Sequence, residues 1–288
     1  MKTMQYKWTQ GDGWRPALPT IETDWQGIVF AFGARSLLQE GKLVGELRDY
    51  FKGAPVIGCS TSGEIVGDEV VDDSLVATAV GFDHTRLRTA SATIAEAKSS
   101  YSVGEELARQ LNDASLRHVF VLSDGLNVNG SDLARGLASG VSEGASITGG
   151  LSGDSTNFAE TWVICPDAAG PQRVVAVGLY GDHLRVGYAS MGGWKPFGPL
   201  RTITRAAGNV LYELDGQSAL DLYKTYLGDH AEQLPGSALL FPIVVTEAQG
   251  GEGVVRTVLS VSEQDKSMTF AGDIPQGGTA QLMKTNVD

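Results

Sequence analysis

The sequence predicts a mixed α/β (α+β) fold: two internally duplicated β-α-β-β-β units forming a pseudo-twofold domain, plus a partial C-terminal α+β module. Three observations carry this expectation. Short β-branched and aromatic runs alternate with helical stretches through the first two-thirds of the chain. Two of those stretches resemble each other when the chain is slid by ninety residues. Finally, 37 of the 288 residues are glycine, nearly twice the usual usage of about 7%, which calls for many tight turns and backbone-lined loops.

The first unit, 28–92, opens on Ile28-Val29-Phe30-Ala31-Phe32, a run suited to a buried strand. A helix carrying Leu43 and Leu47 follows, then a strand at Val56-Ile57 that ends in the turn Gly58-Cys59-Ser60-Thr61-Ser62-Gly63. Strands at 74–82 and 86–92 complete it, and a linking helix is expected at 104–112. The second unit, 118–190, opens on His118-Val119-Phe120-Val121-Leu122. Ser131 is placed to cap its helix, in which Leu133 and Leu137 answer to Leu43 and Leu47. The next strand and turn are Ile147-Thr148-Gly149-Gly150-Leu151-Ser152-Gly153, and strands at 160–165, 173–180 and 184–190 close the unit.

Ser62-Gly63-Glu64 coincides with Ser152-Gly153-Asp154 at the same offset, so Gly149 stands as the repeat partner of Cys59. After a short insertion, Ala79-Val80-Gly81-Phe82 is echoed by Ala176-Val177-Gly178-Leu179, and Asp83-His84-Thr85-Arg86 by Asp182-His183-Leu184-Arg185. A shared strand-helix-strand period alone makes segments look alike, but several matches in order favour duplication. Each parallel crossover is expected to be right-handed.

The breaker-rich run Gly192-Gly193-Trp194-Lys195-Pro196-Phe197-Gly198-Pro199 reads as a boundary stretch, and the expected domains are 25–207 and 208–288. Beyond it come strands at 202–206 and 209–214, a turn at Asp215-Gly216, and a helix at 218–226 with Leu220, Tyr223 and Leu227 on one face. Antiparallel strands at 239–246, 254–262 and 267–271 and a last one at 279–283 end the module.

Composition narrows the function. The chain is 42% hydrophobic and 19% charged, a globular balance. With 34 acidic against 22 basic residues its formal charge is −12, and its pI is near 4.8. Nucleic-acid and anionic-membrane binding require clustered Lys and Arg and are disfavoured. Positions 1–14 lack the apolar core of a secretory signal, and the longest aliphatic stretch, 239–245, contains Pro242 and is too short to span a bilayer. Cys59 and Cys165 are the only cysteines, giving neither a disulfide framework nor a CxxC pair. A soluble, cytoplasmic protein is expected.

Ligands of α/β sheets gather at loops following the carboxyl ends of parallel strands. Four such loops qualify: Gly33-Ala34-Arg35-Ser36; Gly58 through Glu64; Ser123 through Gly130; and Gly149 through Ser155. The candidate ligand-binding set is Ser60, Thr61, Glu64, Asp124, Asn127, Asn129, Ser152 and Asp154. Glycine-freed N–H groups suit a carboxylate, and Asp124 or Glu64 an ammonium, so a small zwitterion fits. The plainer account is that Ser, Asn and Asp bond their own turns.

No catalytic set is assigned. A hydrolase using Cys59 or Ser60 is the enzyme alternative, but the turn does not follow the G-x-S-x-G pattern. His84, His118, His183 and His230 show no metal-ligand spacing, so no metal site is expected. A non-covalent haem needs one His and an apolar pocket, which leaves haem open as a cofactor. No Gly-Lys-Ser/Thr phosphate loop follows any strand.

The set Val56-Ile57-Gly58-Cys59-Ser60-Thr61-Ser62-Gly63-Glu64-Ile65, Leu122-Ser123-Asp124-Gly125-Leu126 and Gly149-Gly150-Leu151-Ser152-Gly153-Asp154 resembles the N-terminal FIST domain. The run Thr204-Arg205-Ala206-Ala207-Gly208-Asn209-Val210-Leu211-Tyr212-Glu213-Leu214-Asp215-Gly216, with Ala219-Leu220, resembles the junction into the FIST C-terminal module. The resemblance runs from about Ile28 onward. It implies a bacterial or eukaryotic type of signal-input module that binds small ligands, amino acids having been proposed, and regulates a separate partner. One branch of that family binds haem, senses nitric oxide and regulates a histidine kinase. Family members usually continue well past the equivalent of Met283-Lys284, so an exposed edge or apolar surface, with dimerisation or instability, is expected here.

Overall fold

In the computed structural model, residues 1–18, 27–94 and 99–285 are described; position 25, where the first domain was expected to start, lies outside them. The chain forms two compact units, one of residues 1–128 and 133–188, the other of 129–132 and 189–288. The expected division was at 207/208.

The first unit contains β1 (Lys2–Thr9), β2 (Gly13–Arg15), β3 (Gly27–Gly33), α1 (Arg35–Glu40), α2 (Lys42–Tyr50), β4 (Val56–Ser60), β5 (Glu64–Val66), β6 (Glu69–Val71), β7 (Leu75–Gly81) and β8 (Arg86–Thr93). It continues with α3 (Ser100–Leu111), β9 (Leu116–Ser123), α4 (Gly130–Gly140, its first three residues counted with the other unit), β10 (Ser146–Leu151), β11 (Val163–Ile164), β12 (Ala169–Gly170) and β13 (Arg173–Tyr180). One sheet has the order β12-β11-β4-β3-β7-β1-β2 and a second the order β10-β9-β13-β8.

The alternation of side chains along a strand turns these sheets into four layers. On the outer face of the first sheet, Val29 and Ala31 pack with Leu43, Val44 and Leu47 of α2. On its inner face, Ile28, Ile57 and Cys59 meet Leu122, Val175 and Val177 of the second sheet. The outer face of that sheet, with Val119, Val121 and Val174, is covered by Leu107 of α3 and Leu133 and Leu137 of α4. Phe30 and Phe120 meet edge to face between the sheets, ring centres 5.4 Å apart, a favoured aromatic arrangement.

The sequences β4-β3-β7-β1 and β10-β9-β13-β8 share one pattern. The first pair is parallel and the other two are antiparallel. The fourth strand, however, precedes its unit instead of trailing it. β1, part of an N-terminal hairpin not anticipated from sequence, lies beside β7, and β8 lies beside β13. With β8 in that place the expected strand at 184–190 does not form, and 185–190 are exposed without regular structure.

The two parallel pairs can be compared by register, although this does not establish the expected duplication. Ala31 faces Gly58 and Val121 faces Gly149, so the offset is ninety at β3/β9 but ninety-one at β4/β10. In this register Gly149 occupies the position that Gly58 has in the other pair, rather than that of Cys59. Both are glycine for the same steric reason: a Cβ at Gly58 would sit 1.7 Å from the Ala31 carbonyl oxygen, and one at Gly149 1.9 Å from that of Val121.

Other boundaries shift for local reasons. The first helix is split at Gly41, which adopts a left-handed φ of 70°. Helix α4 is capped by Asn129 rather than Ser131: Asn129 Oδ1 accepts from the N–H groups of Ser131 (3.0 Å) and Asp132 (3.3 Å). The expected strand at 160–165 contracts to β11 because neighbouring N–H groups bond side chains instead, Glu160 to Asp154 and Trp162 to Ser60.

The second unit contains β14 (Trp194–Ala207), β15 (Val210–Leu214), β16 (Gln217–Ser218), α5 (Ala219–Leu227), short 3-10 turns at Gly228–Gln233 and Gly236–Leu240, β17 (Ile243–Thr246), β18 (Val254–Arg256), β19 (Val258–Ser262), β20 (Ser267–Phe270) and β21 (Thr279–Thr285). Its sheet runs β18-β17-β21-β14-β15-β20-β19. Ser218 caps α5 through the Asp221 N–H, 3.2 Å, and Leu220, Tyr223 and Leu227 press onto Ile203, Leu211, Met268 and Phe270. The breaker-rich run is not a linker throughout, since its residues from Trp194 onward belong to β14. The last strand, β21, lies between β17 and β14 rather than at an edge; exposed apolar residues occur instead at Val254 and Val255 on edge strand β18.

Gly58→Ala is expected to lower stability by about 1–3 kcal/mol through forced overpacking. Gly11→Ala, where an added Cβ meets nothing within 4 Å, should stay within about 0.5 kcal/mol. Urea unfolding of the two variants checks both.

Candidate functional site

The four loops after β3, β4, β9 and β10 meet at one end of the first unit. Each parallel pair ends in the same backbone bond: Thr61 N–H to the Gly33 carbonyl, 3.1 Å, and Ser152 N–H to the Ser123 carbonyl, 2.8 Å. Ser60 links the second loop to the fourth. Its N–H donates to the Trp162 carbonyl and its carbonyl accepts from Gly153 N–H, both 2.8 Å. Its hydroxyl donates to the Gly153 carbonyl, 2.7 Å, and accepts from Trp162 N–H, 2.9 Å. Ser62 Oγ accepts from Ser155 N–H at 2.9 Å. Between the third loop and the fourth, a Cβ on Gly125 would come within 1.9 Å of the Ser152 carbonyl oxygen.

Three carboxylates are buried in these loops, and each is surrounded by donors. Asp124 accepts from the N–H groups of Leu126 (2.9 Å), Asn127 (2.7 Å) and Gln172 (3.0 Å), and from Asn127 Nδ2 (3.1 Å). Asp154 accepts from Ala159 and Glu160 N–H, both 3.2 Å, and pairs with Arg35 Nε at 2.9 Å. Glu64 accepts the hydroxyls of Thr61 and Ser74 at 2.7 Å each, with a backbone bond from Ser74 beside them. Burial raises its pKa above the usual carboxylate range, and the two hydroxyl bonds offset only part of that rise. Ser152 donates its hydroxyl to the Ser123 carbonyl, 2.8 Å.

Among the candidate residues, Asn127 is exposed and Thr61 half-buried, whereas Ser60, Glu64, Asp124, Ser152 and Asp154 are buried. Asn129, also a candidate, is half-buried. It falls in the second unit, where its Nδ2 lies 2.6 Å from Asp273 Oδ1. The structure adds groups outside the sequence-derived set. Arg35 Nη1 stands 3.9 Å from Glu160 Oε2, and that same oxygen accepts from Gln39 Nε2 (2.9 Å) and Trp162 Nε1 (2.8 Å). Arg35 lay within a loop already singled out. Glu160 is 121 positions from Gln39, and no local pattern links them.

The hydrolase alternative lacks the required geometry. Cys59 is buried between the sheets, and desolvation pushes its thiol up to about 12, so the nucleophilic thiolate is not formed near neutrality. The Ser60 hydroxyl is spent on backbone groups. Of the histidines, buried His118 is bonded to Ser146 Oγ (2.8 Å) and Thr148 Oγ1 (2.9 Å), and burial lowers its pKa. His84 and His183 lie with ring centres 5.4 Å apart, and His230 lies 5.4 Å from the Phe241 ring. Among the described residues, no group of three or more His, Cys, Asp or Glu is arranged to hold a metal ion. No helix among them is long and apolar enough to cross a membrane.

Two family models match the chain: the FIST N domain over residues 27–217 and the FIST C domain over 219–288. No curated protein matches it.

Glu64 carries a pH dependence. Its raised pKa means the folded state holds the proton more tightly, so the stability Glu64 contributes is greatest in acid and is lost as pH rises through its folded value. Glu64→Gln, which keeps an acceptor but cannot ionise, should therefore gain stability relative to the wild type as pH rises from mildly acidic to neutral. Urea midpoints compared across that range test it; a constant difference would count against a buried, ionising Glu64.

Proposed function

The chain belongs to the FIST family, whose domains are small-ligand sensory domains in signalling proteins, and from that premise we propose that it senses a small zwitterion such as an amino acid. The proposed site is the meeting place of the four loops in the first unit. The observation that carries it is the Arg35–Glu160 pair, a guanidinium and a partly exposed carboxylate 3.9 Å apart at the carboxyl ends of parallel strands. Arg35 commits its Nε to buried Asp154. Its terminal nitrogens are suited to a carboxylate, while Glu160 suits an ammonium.

Thr61 and Asn127 supply further polar contacts in this reading. Ser60, Glu64, Asp124, Ser152 and Asp154 hold the loops in place, a supporting role that keeps a site pre-organised. Asn129, in the other unit, takes no part. The proposed output is a shift between conformations, read by a separate signalling protein such as a histidine kinase. The ligand drives that shift only to the extent that it binds one conformation better.

A thermal-shift and denaturant panel of amino acids tests the proposal. A ligand at about a hundred times its Kd is expected to add about 2.7 kcal/mol. Arg35→Met and Glu160→Gln, checked for native circular dichroism, should abolish that gain. A flat panel, or a gain that both variants retain, would remove this site.

A further inference from the structure

Strand β8 ends one side of the second sheet, and its outer edge is open. Its ladder with β13 runs from Arg86 opposite Tyr180 to Thr93 opposite Arg173 without a register shift. One position further, the Ile94 N–H donates to the Gln172 carbonyl at 2.9 Å. Bonded and non-bonded pairs alternate along an antiparallel ladder, so the even-numbered residues of β8 bond β13. Leu87, Thr89 and Ser91 therefore turn their N–H and C=O groups to the other side. No strand pairs there among the described residues. Proteins usually blunt such an edge with lysine, proline or a bulge. β8 has none of the three. Its charged side chains, Arg86 and Arg88, lie at one end and fold over the Tyr180 ring, 4.3 and 5.4 Å from its centre.

This edge borders an open groove of about 740 Å³, within the roughly 300–1,000 Å³ of binding clefts. Residues 85–89 form one side, and Gly27, Gly53, Ala54 and Pro55 form the other. Those four small residues stand at or just before the starts of β3 and β4. The groove is thus at the opposite end of these strands from the four loops.

The rim is positive. Arg86 Nη2 and Arg88 Nη2 stand 3.2 and 3.9 Å from one and the same Asp113 oxygen, and the two side chains are 50% and 41% exposed. Two guanidiniums sharing one carboxylate leave a net positive charge. Lys52, next to Gly53, is exposed and pairs with no carboxylate among the described residues. The chain's net charge of −12 repels an acidic partner only weakly at a distance, because physiological salt screens beyond about 8 Å. At the groove the local cations decide.

We propose that the open edge of β8 docks an extended acidic segment of a partner protein, which adds a strand to the second sheet. Side chains of a strand alternate between its faces. Acidic residues of the segment then lie beside Arg86 and Arg88. The residues between them share the face of Leu87, which packs between the sheets, and small apolar side chains there enter the groove. This proposal is independent of the loop site.

The test uses the full chain and a fluorescein-labelled (Glu-Val)4 peptide, read by fluorescence anisotropy and by amide hydrogen exchange. Saturable binding is expected, with a (Lys-Val)4 peptide at least about tenfold weaker. Exchange at Leu87, Thr89 and Ser91 should slow on binding, while that at Arg88 and Ala90, already in the ladder, should stay unchanged. Thr89→Pro removes an outward N–H without touching the β13 ladder and should weaken binding by about tenfold or more. The double variant Arg86→Gln, Arg88→Gln, checked for native circular dichroism, should do the same. Arg35→Met and Glu160→Gln should leave peptide binding unchanged, which separates this edge from the loop site. Absence of saturable binding, or binding without slowed exchange at the three edge amides, overturns the proposal whether or not Thr89→Pro folds. Slowing of those amides in the protein alone as its concentration rises would assign the edge to a second copy and overturn it equally.

Discussion

The rim of the first unit depends on one crossing of the chain. After β10, in the second sheet, the backbone passes over to pair as β11 with β4 of the first sheet, and then returns to the second sheet as β13. A crossing between sheets exposes backbone groups that no ladder satisfies, and buried groups of that kind must find partners. Ser60 is where they do: it is fully buried and makes four hydrogen bonds to Gly153 and Trp162. Because the crossing is held there, Asp154 comes to Arg35 and Glu160 comes to Gln39 and Trp162.

The same constraint explains why so many polar residues of the loops are buried. Asp124 and Asp154 serve as acceptors for turn N–H groups and side-chain donors that face no strand partner. Buried carboxylates are tolerated when several donors surround them. Glu64, held by the Thr61 and Ser74 hydroxyls and a Ser74 backbone bond, is the one whose pKa burial raises. The protein's large negative charge therefore includes a few carboxylates that act as structural acceptors, while Glu160 in the same cluster is partly exposed.

Much of the fold was legible in sequence because its information is local. Runs such as Ile28-Val29-Phe30-Ala31-Phe32 and the Leu220, Tyr223, Leu227 stripe have the period of their element and the apolar payload to bury it. The four glycine-rich loops were also legible, and they do meet. The N-terminal hairpin escaped notice although Met4, Tyr6 and Trp8 alternate with Gln5, Lys7 and Thr9, because β1 is half exposed and paired with β7, some seventy residues away. Two strands were misjudged because pairing chose differently: 184–190 lost its place to β8, and 160–165 gave its N–H groups to Asp154 and Ser60. The one-residue slip in the apparent repeat arose because sequence matching aligned the Ser-Gly-acid turns, whereas the fold aligns the glycines that let β4 and β10 approach their neighbours.

By itself, the sequence determined the class of elements, the helix faces and the positions of the loops. These follow from composition and from periods of two and 3.6 residues, which act over a few neighbouring positions. Tertiary structure alone decided which strand stands beside which and that Arg35 and Glu160 are paired. Each of these joins residues far apart in the chain, and such contacts are set by the joint packing of whole sheets and not by any pattern a local stretch can carry.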